Sequence, residues 1–154
     1  MPADSSNIHA SQIAQLIFEY AERIDAGDLA GVADLLAGAG FGAGTGPLVH
    51  GREAVLALYK STVRIYDDGT PRTKHLVTNL AVKVDPSSET ATARSYFTVL
   101  QQVDRSPLAP IVSGRYRDSF VNHEGIWRFS ERRIHTDLVG DVSAHMLPGG
   151  PSLT

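Results

Sequence analysis

Apolar residues recur along this chain with two different periods. Over residues 11–26, Ile13, Leu16, Ile17, Tyr20 and Ile24 fall at spacings of three and four, which predicts an amphipathic helix with one face toward a core. Gly27 ends that helix, Asp28 is placed to cap a short second one through Leu35 and Leu36, and Gly38 stops it. A third helix is expected over residues 51–66, broken by Asp67-Asp-Gly-Thr-Pro71. Beyond Pro71 the period falls to two. Strands are expected over residues 73–84, 90–103, 111–122 and 126–138, joined by a turn at 85–88, a loop at 106–110 and a tight turn at His123-Glu-Gly125. Helices followed by a meander of long strands predict an α+β fold. The helices should cover one face of a strongly curved, mostly antiparallel sheet and enclose a pocket.

The stretch between the second and third helices is rich in glycine. Gly38, Gly40 and Ala43 have the G-x-G-x-x-A spacing of a dinucleotide fingerprint, but that motif lies between a strand and a helix. Here it follows a helix and runs into Gly46-Pro47, so a flexible loop is expected instead, a lid or mouth over the pocket.

Composition narrows the classes. A chain of 154 residues with 42% hydrophobic content is the length of one domain with one core. A net charge of -3 without a long Lys/Arg run gives no electrostatic footprint for nucleic acid and no polybasic segment for a membrane. The absence of cysteine excludes disulfides, thiolate nucleophiles and zinc-thiolate sites. The polar start, Met1-Pro-Ala-Asp-Ser-Ser-Asn7, has neither the charged nor the apolar region of a signal peptide, and no window approaches the roughly 18 apolar residues of a membrane span. A soluble, cytoplasmic protein is expected.

The candidate chemistry lies in Lys74-His75-Leu76-Val77-Thr78-Asn79. Strand alternation puts His75, Val77 and Asn79 on one face and Leu76, Thr78 and Leu80 on the other, so an imidazole and a carboxamide can share a cavity wall. Asp25 lies on the last turn of the first helix, where the macrodipole disfavours an anion and a compensating partner is needed. If that partner is His75, the carboxylate fixes one tautomer and makes the ring a better base. On a later strand, Arg115, Arg117 and Ser119 share one face, and Gly114, Tyr116, Asp118 and Phe120 the other. Tyr116 is a candidate pocket residue, and Asp118 a structural partner for Arg132 or Arg133. Trp127 and Phe129 alternate with Arg128 and Ser130, the pattern of a core-facing or dimer-facing strand. His135 and Asp137 share a face, but no second cluster supports a metal site there. There is no G-x-S-x-G elbow for a serine nucleophile. The Pro/Gly-rich tail from His145 either packs across the pocket mouth or frays.

This order of elements resembles the nuclear transport factor 2-like superfamily. The residues that carry the resemblance are Ile24-Asp-Ala-Gly-Asp-Leu29, His75 and Asn79 as H-x-x-x-N, and Gly114-Arg-Tyr-Arg-Asp118 with Gly125-Ile-Trp-Arg-Phe129. Within it the chain is similar to the SnoaL-like branch that includes scytalone dehydratase and hexachlorocyclohexane dehydrochlorinase, over about residues 8–148. The resemblance implies a cone-shaped α+β barrel with a deep apolar pocket, an Asp-His dyad inside it, no cofactor, and a homodimer or higher homo-oligomer. It implies a lyase or isomerase that abstracts a proton from carbon of a small hydrophobic, cyclic molecule. Asp25 and His75 would then be catalytic, with Tyr20, Asn79 and Tyr116 binding the substrate. The same fold also hosts non-catalytic binding proteins and dioxygenase β-subunits, which is the alternative reading.

Overall fold

The structure, a computed structural model, describes residues 5–150. Its elements in chain order are α1 (Ser5–Asp25), α2 (Leu29–Leu35), β1 (Gly40–Ala43), β2 (Val49–His50), α3 (Arg52–Thr62), β3 (Thr73–Val84), β4 (Thr90–Gln101), β5 (Ala109–His123) and β6 (Ile126–Val139). The periodicity of α1 does its expected work: Ile13, Ile17, Tyr20 and Ile24 are all buried, and the helix packs against β3. Its start lies earlier than the apolar pattern indicates, because the polar first turns are tied to the sheet by Trp127 Nε1, which donates to His9 Nδ1 at 3.1 Å. Trp127 and Phe129 therefore face the core.

Gly27 closes α1 with φ +75°, and Asp28 caps α2 by accepting from the Gly31 amide at 2.8 Å. A Cβ at Gly27 would stand 1.9 Å from the Gly69 carbonyl oxygen, so the corner needs glycine for both backbone angle and space. Gly27→Ala is expected to cost about 2 kcal/mol or more in urea unfolding, against about 1 for Gly44→Ala, where φ is also positive but the added Cβ meets open space. Equal costs would show that the Gly69 approach does not matter.

The six strands form one mixed sheet in the order β2-β1-β6-β5-β4-β3. All pairs are antiparallel except β1 with β6. β2 and β3 are the two ends of this order, so the sheet is curved but not closed. The glycine-rich stretch expected as a flexible loop is thus corrected in part: residues 40–43 are a strand, with Gly40, Phe41 and Gly42 buried. The glycines serve close packing, since a Cβ at Gly40 would meet the Leu48 side chain at 2.8 Å and one at Gly42 the Pro47 carbonyl at 2.9 Å. Register shifts at Thr78/Ala81, Val99/Leu100, Ser113/Gly114 and Ser119/Phe120 bend the long strands around the helices.

α3 stops at Thr62, short of the expected end, because Val63 is extended (φ -97°, ψ 127°) and bridges Met146. The segment after β6 is thereby tied to the end of α3. Among the described residues, no helix is long and apolar enough to cross a membrane.

Candidate functional site

The end of α1 delivers Asp25 to the start of β3, where three donors converge on its carboxylate. Thr73 Oγ1 donates to Oδ1 at 2.8 Å, the His75 amide donates to Oδ2 at 2.8 Å, and His75 Nδ1 lies 2.6 Å from Oδ1. Only 10% of the Asp25 side chain and 8% of the His75 side chain are exposed, which limits solvent competition for these bonds. Burial alone would raise the Asp25 carboxyl. The hydrogen bond and charge of His75, joined by the His75 amide and the Thr73 hydroxyl, outweigh it and hold the group below its ordinary value. Asp25 is therefore an anion at neutral pH, and an anion at Nδ1 fixes that nitrogen as the N–H of the neutral ring. Nε2 is left with its lone pair.

His75 also lines a cavity of about 190 Å³ between the helices and the concave face of the sheet. Its walls are largely apolar, from Ile24 on α1 and Leu58 on α3 to Phe97, Val99, Val112 and Ile134 on the strands. Tyr20 and Tyr116 both line it, with their rings edge to face at 6.0 Å, and Tyr116 stacks on Phe97 at 4.6 Å. Asn79 does not. The shift at Thr78/Ala81 interrupts the alternation, and Asn79 takes φ +52° and is exposed, so its predicted place in the pocket is corrected. Asp137 is engaged by Arg115 through two bonds of 2.8 Å on the outer face.

Two cavity residues do not stand out in the sequence. Tyr59, one turn beyond Val55 on the buried face of α3, has its hydroxyl in a short hydrogen bond with that of Tyr20. A phenol at an apolar-face position is a weak signal, because tyrosine serves cores equally well. His145 lies in the aperiodic segment after β6, where no pattern reveals which way a side chain faces. Burial raises the phenols of Tyr20, Tyr59 and Tyr116, the latter two strongly, so all three keep their protons at neutral pH. One proton joins Tyr20 to Tyr59; the other of that pair has no acceptor among the described residues.

The sequence signature of the SnoaL-like domain matches residues 9–133. The chain belongs to the SnoaL-like family. Among solved structures, this SnoaL-like chain is similar to a variant of Rv3472, a Mycobacterium tuberculosis protein of unknown function. They share 26% identity and a TM-score of 0.71 over 90% of this chain and 78% of that one. A candidate scytalone dehydratase from Novosphingobium aromaticivorans is 21% identical, with a TM-score of 0.68 over 89% and 90% of the two chains. A candidate aromatic-ring-hydroxylating dioxygenase β-subunit from the same organism is 16% identical, also at 0.68, over 89% and 94%. The last two show a shared fold. No curated protein sequence matches the chain.

Behind two of the cavity's tyrosine rings in this SnoaL-like chain, Asp118 and Arg132 are cross-strand partners on β5 and β6. Arg132 Nε and Nη2 donate to the two Asp118 oxygens at 2.8 and 2.9 Å, and both side chains are fully buried. The guanidinium carbon lies 4.1 Å from the Tyr20 ring centre and 3.9 Å from that of Tyr116. Burial opposes the Arg132 charge, but Asp118 more than offsets it and raises the group above its ordinary value.

Proposed function

We propose that this SnoaL-like protein is a cofactor-free lyase or isomerase that removes a proton from carbon of a small hydrophobic, cyclic substrate. The observation that carries this reading is His75 itself, with Asp25 against Nδ1 on one side and an apolar cavity on the other. A carbon acid next to a carbonyl gives its proton to His75 Nε2, and the Asp25 anion stabilises the imidazolium that results. Negative charge moves onto the carbonyl oxygen, where the free phenolic proton of the Tyr20–Tyr59 pair donates a hydrogen bond. Tyr116 forms a flat wall for the ring. In elimination, the carbon–oxygen bond breaks as the double bond forms, and the imidazolium returns its proton to the departing hydroxide as water. In isomerisation it returns the proton to a second carbon. Either route leaves His75 as it began.

The pairing is testable without a substrate. Nitrogen-15 NMR of neutral His75 should show an Nδ1-protonated ring with a pyridine-like Nε2, and Asp25→Asn should abolish that preference. An Nε2-protonated ring in the wild type would contradict base catalysis by His75 and leave ligand binding without turnover as the better reading.

A further inference from the structure

The cavity holds a second imidazole that the proton-transfer scheme does not use. His145 is 7% exposed, lines the cavity, and its Nδ1 is buried without a hydrogen-bond partner among the described residues. Buried polar groups in native proteins are nearly always partnered, so an imidazole that lines a cavity with hydrogen-bonding capacity to spare is a candidate to bond a ligand. The segment that carries it is firmly held. The Arg64 amide donates to the His145 carbonyl at 2.8 Å, the His145 amide to the Val142 carbonyl at 3.0 Å, and the Leu147 amide to the Thr62 carbonyl at 2.9 Å. Just before it, the Ala144 carbonyl accepts from the Tyr66 hydroxyl at 2.5 Å and from Gln101 Nε2 at 3.3 Å. An imidazole on a backbone fixed from both sides is pre-organised for recognition rather than free to turn away.

Charge narrows what it can recognise. No lysine, arginine, aspartate or glutamate is among the described residues that line the cavity, and the nearby Arg132 is committed to Asp118. A carboxylate or phosphate on the ligand would find no counter-ion and would face the Asp25 anion behind His75. We propose that His145 is a specificity-determining residue of this site, whose neutral imidazole hydrogen-bonds an oxygen of the ligand and selects uncharged, oxygen-bearing ring compounds over hydrocarbons and over carboxylates. This rests on the cavity being the ligand site, as in the proposed function, but not on proton transfer by His75. Burial, and after it the charge of His75, push the His145 imidazole down to about 4 against the opposing pull of Asp25, so it carries no charge at neutral pH. The two histidines thus differ in kind: His75 has a carboxylate to stabilise its charged form, and His145 has none.

Three bicyclic probes of one shape separate the possibilities: 1-indanone, indane and indane-2-carboxylate, titrated calorimetrically into the wild type, His145→Phe, His145→Gln and Asp25→Asn. The wild type should bind the ketone about tenfold more tightly than the hydrocarbon and the carboxylate most weakly. His145→Phe should lose a measurable part of the ketone preference, the rest being held by the phenolic proton of the Tyr20–Tyr59 pair, while holding indane unchanged, and His145→Gln, which keeps a hydrogen-bonding group, should restore some of that part. In the wild type, the nitrogen-15 signals of His145 should move with 1-indanone and not with indane, a readout that needs no variant to fold. Absence of a ketone preference, its undiminished survival in His145→Phe, or unmoved His145 signals overturns the assignment. Asp25→Asn keeps the two readings apart: it removes the partner of the proposed base but leaves His145 in place, so the ketone preference and its dependence on His145 should persist in it whether or not the wild type abstracts protons.

Discussion

Asp118→Ala is expected to lower folding stability by about 3–5 kcal/mol, the scale for removing one partner of a buried ion pair. The reason is what remains behind. Arg132 is fully buried, two of its nitrogens are bonded to Asp118, and its Nη1 has no hydrogen-bond partner among the described residues even with Asp118 present. The Tyr20 and Tyr116 ring faces ease the cation's burial by cation–π attraction, which is worth about 2 kcal/mol when desolvated and does not replace a carboxylate. Domains of this size are stable by only about 5–15 kcal/mol, so the variant should be close to unfolding at room temperature. The double variant Asp118→Leu/Arg132→Met removes both charges and should recover most of the loss, because it leaves no stranded ion. Urea unfolding of the wild type and both variants decides it. A loss below about 1 kcal/mol in Asp118→Ala would mean that water or a neighbouring group reaches Arg132 and that the cation is not left stranded.

The same pair shows why some of the fold was legible in advance and some was not. Alternation along β5 assigns Asp118 to the face of Tyr116 and Phe120, and a buried carboxylate on that face requires a cation, so an arginine partner on β6 could be expected. The helices and four long strands were legible for a similar reason: each buries one face, and burial leaves a period in the sequence. β1 leaves none. Gly-Phe-Gly-Ala has too few side chains to show a period, and its partner β6 lies far along the chain, so only tertiary pairing makes it a strand. Asn79 failed at the opposite point, since a period of two holds only until a bulge, and nothing local announces the shift after Thr78. The contact between Asp25 and His75 could be anticipated from an uncompensated anion at a helix end and an imidazole on a neighbouring strand. Tyr59 and His145 could not, because their importance lies in which cavity they reach rather than in any local pattern.

Once a substrate is found by screening dehydration, dehydrohalogenation and isomerisation candidates, His75→Ala and Asp25→Asn should each reduce kcat/KM at least about a hundredfold, the scale of a lost general base. His75→Ala removes the proton acceptor outright. Asp25→Asn acts through the tautomer: an amide that turns its NH₂ toward Nδ1 makes that nitrogen the acceptor and puts the ring proton on Nε2, the atom that must receive the substrate's proton. It also removes the anion that balances the imidazolium, so the loss should fall on kcat with little change in KM. Because the two residues act as one unit, the double variant should be scarcely slower than His75→Ala, and multiplicative losses would argue that they work separately. Both variants keep the buried Tyr20, Tyr59 and Tyr116, and wild-type affinity for 1-indanone would show that the cavity is intact where activity has gone. Full activity in both variants would rule out proton abstraction by His75, whatever the geometry at Nδ1.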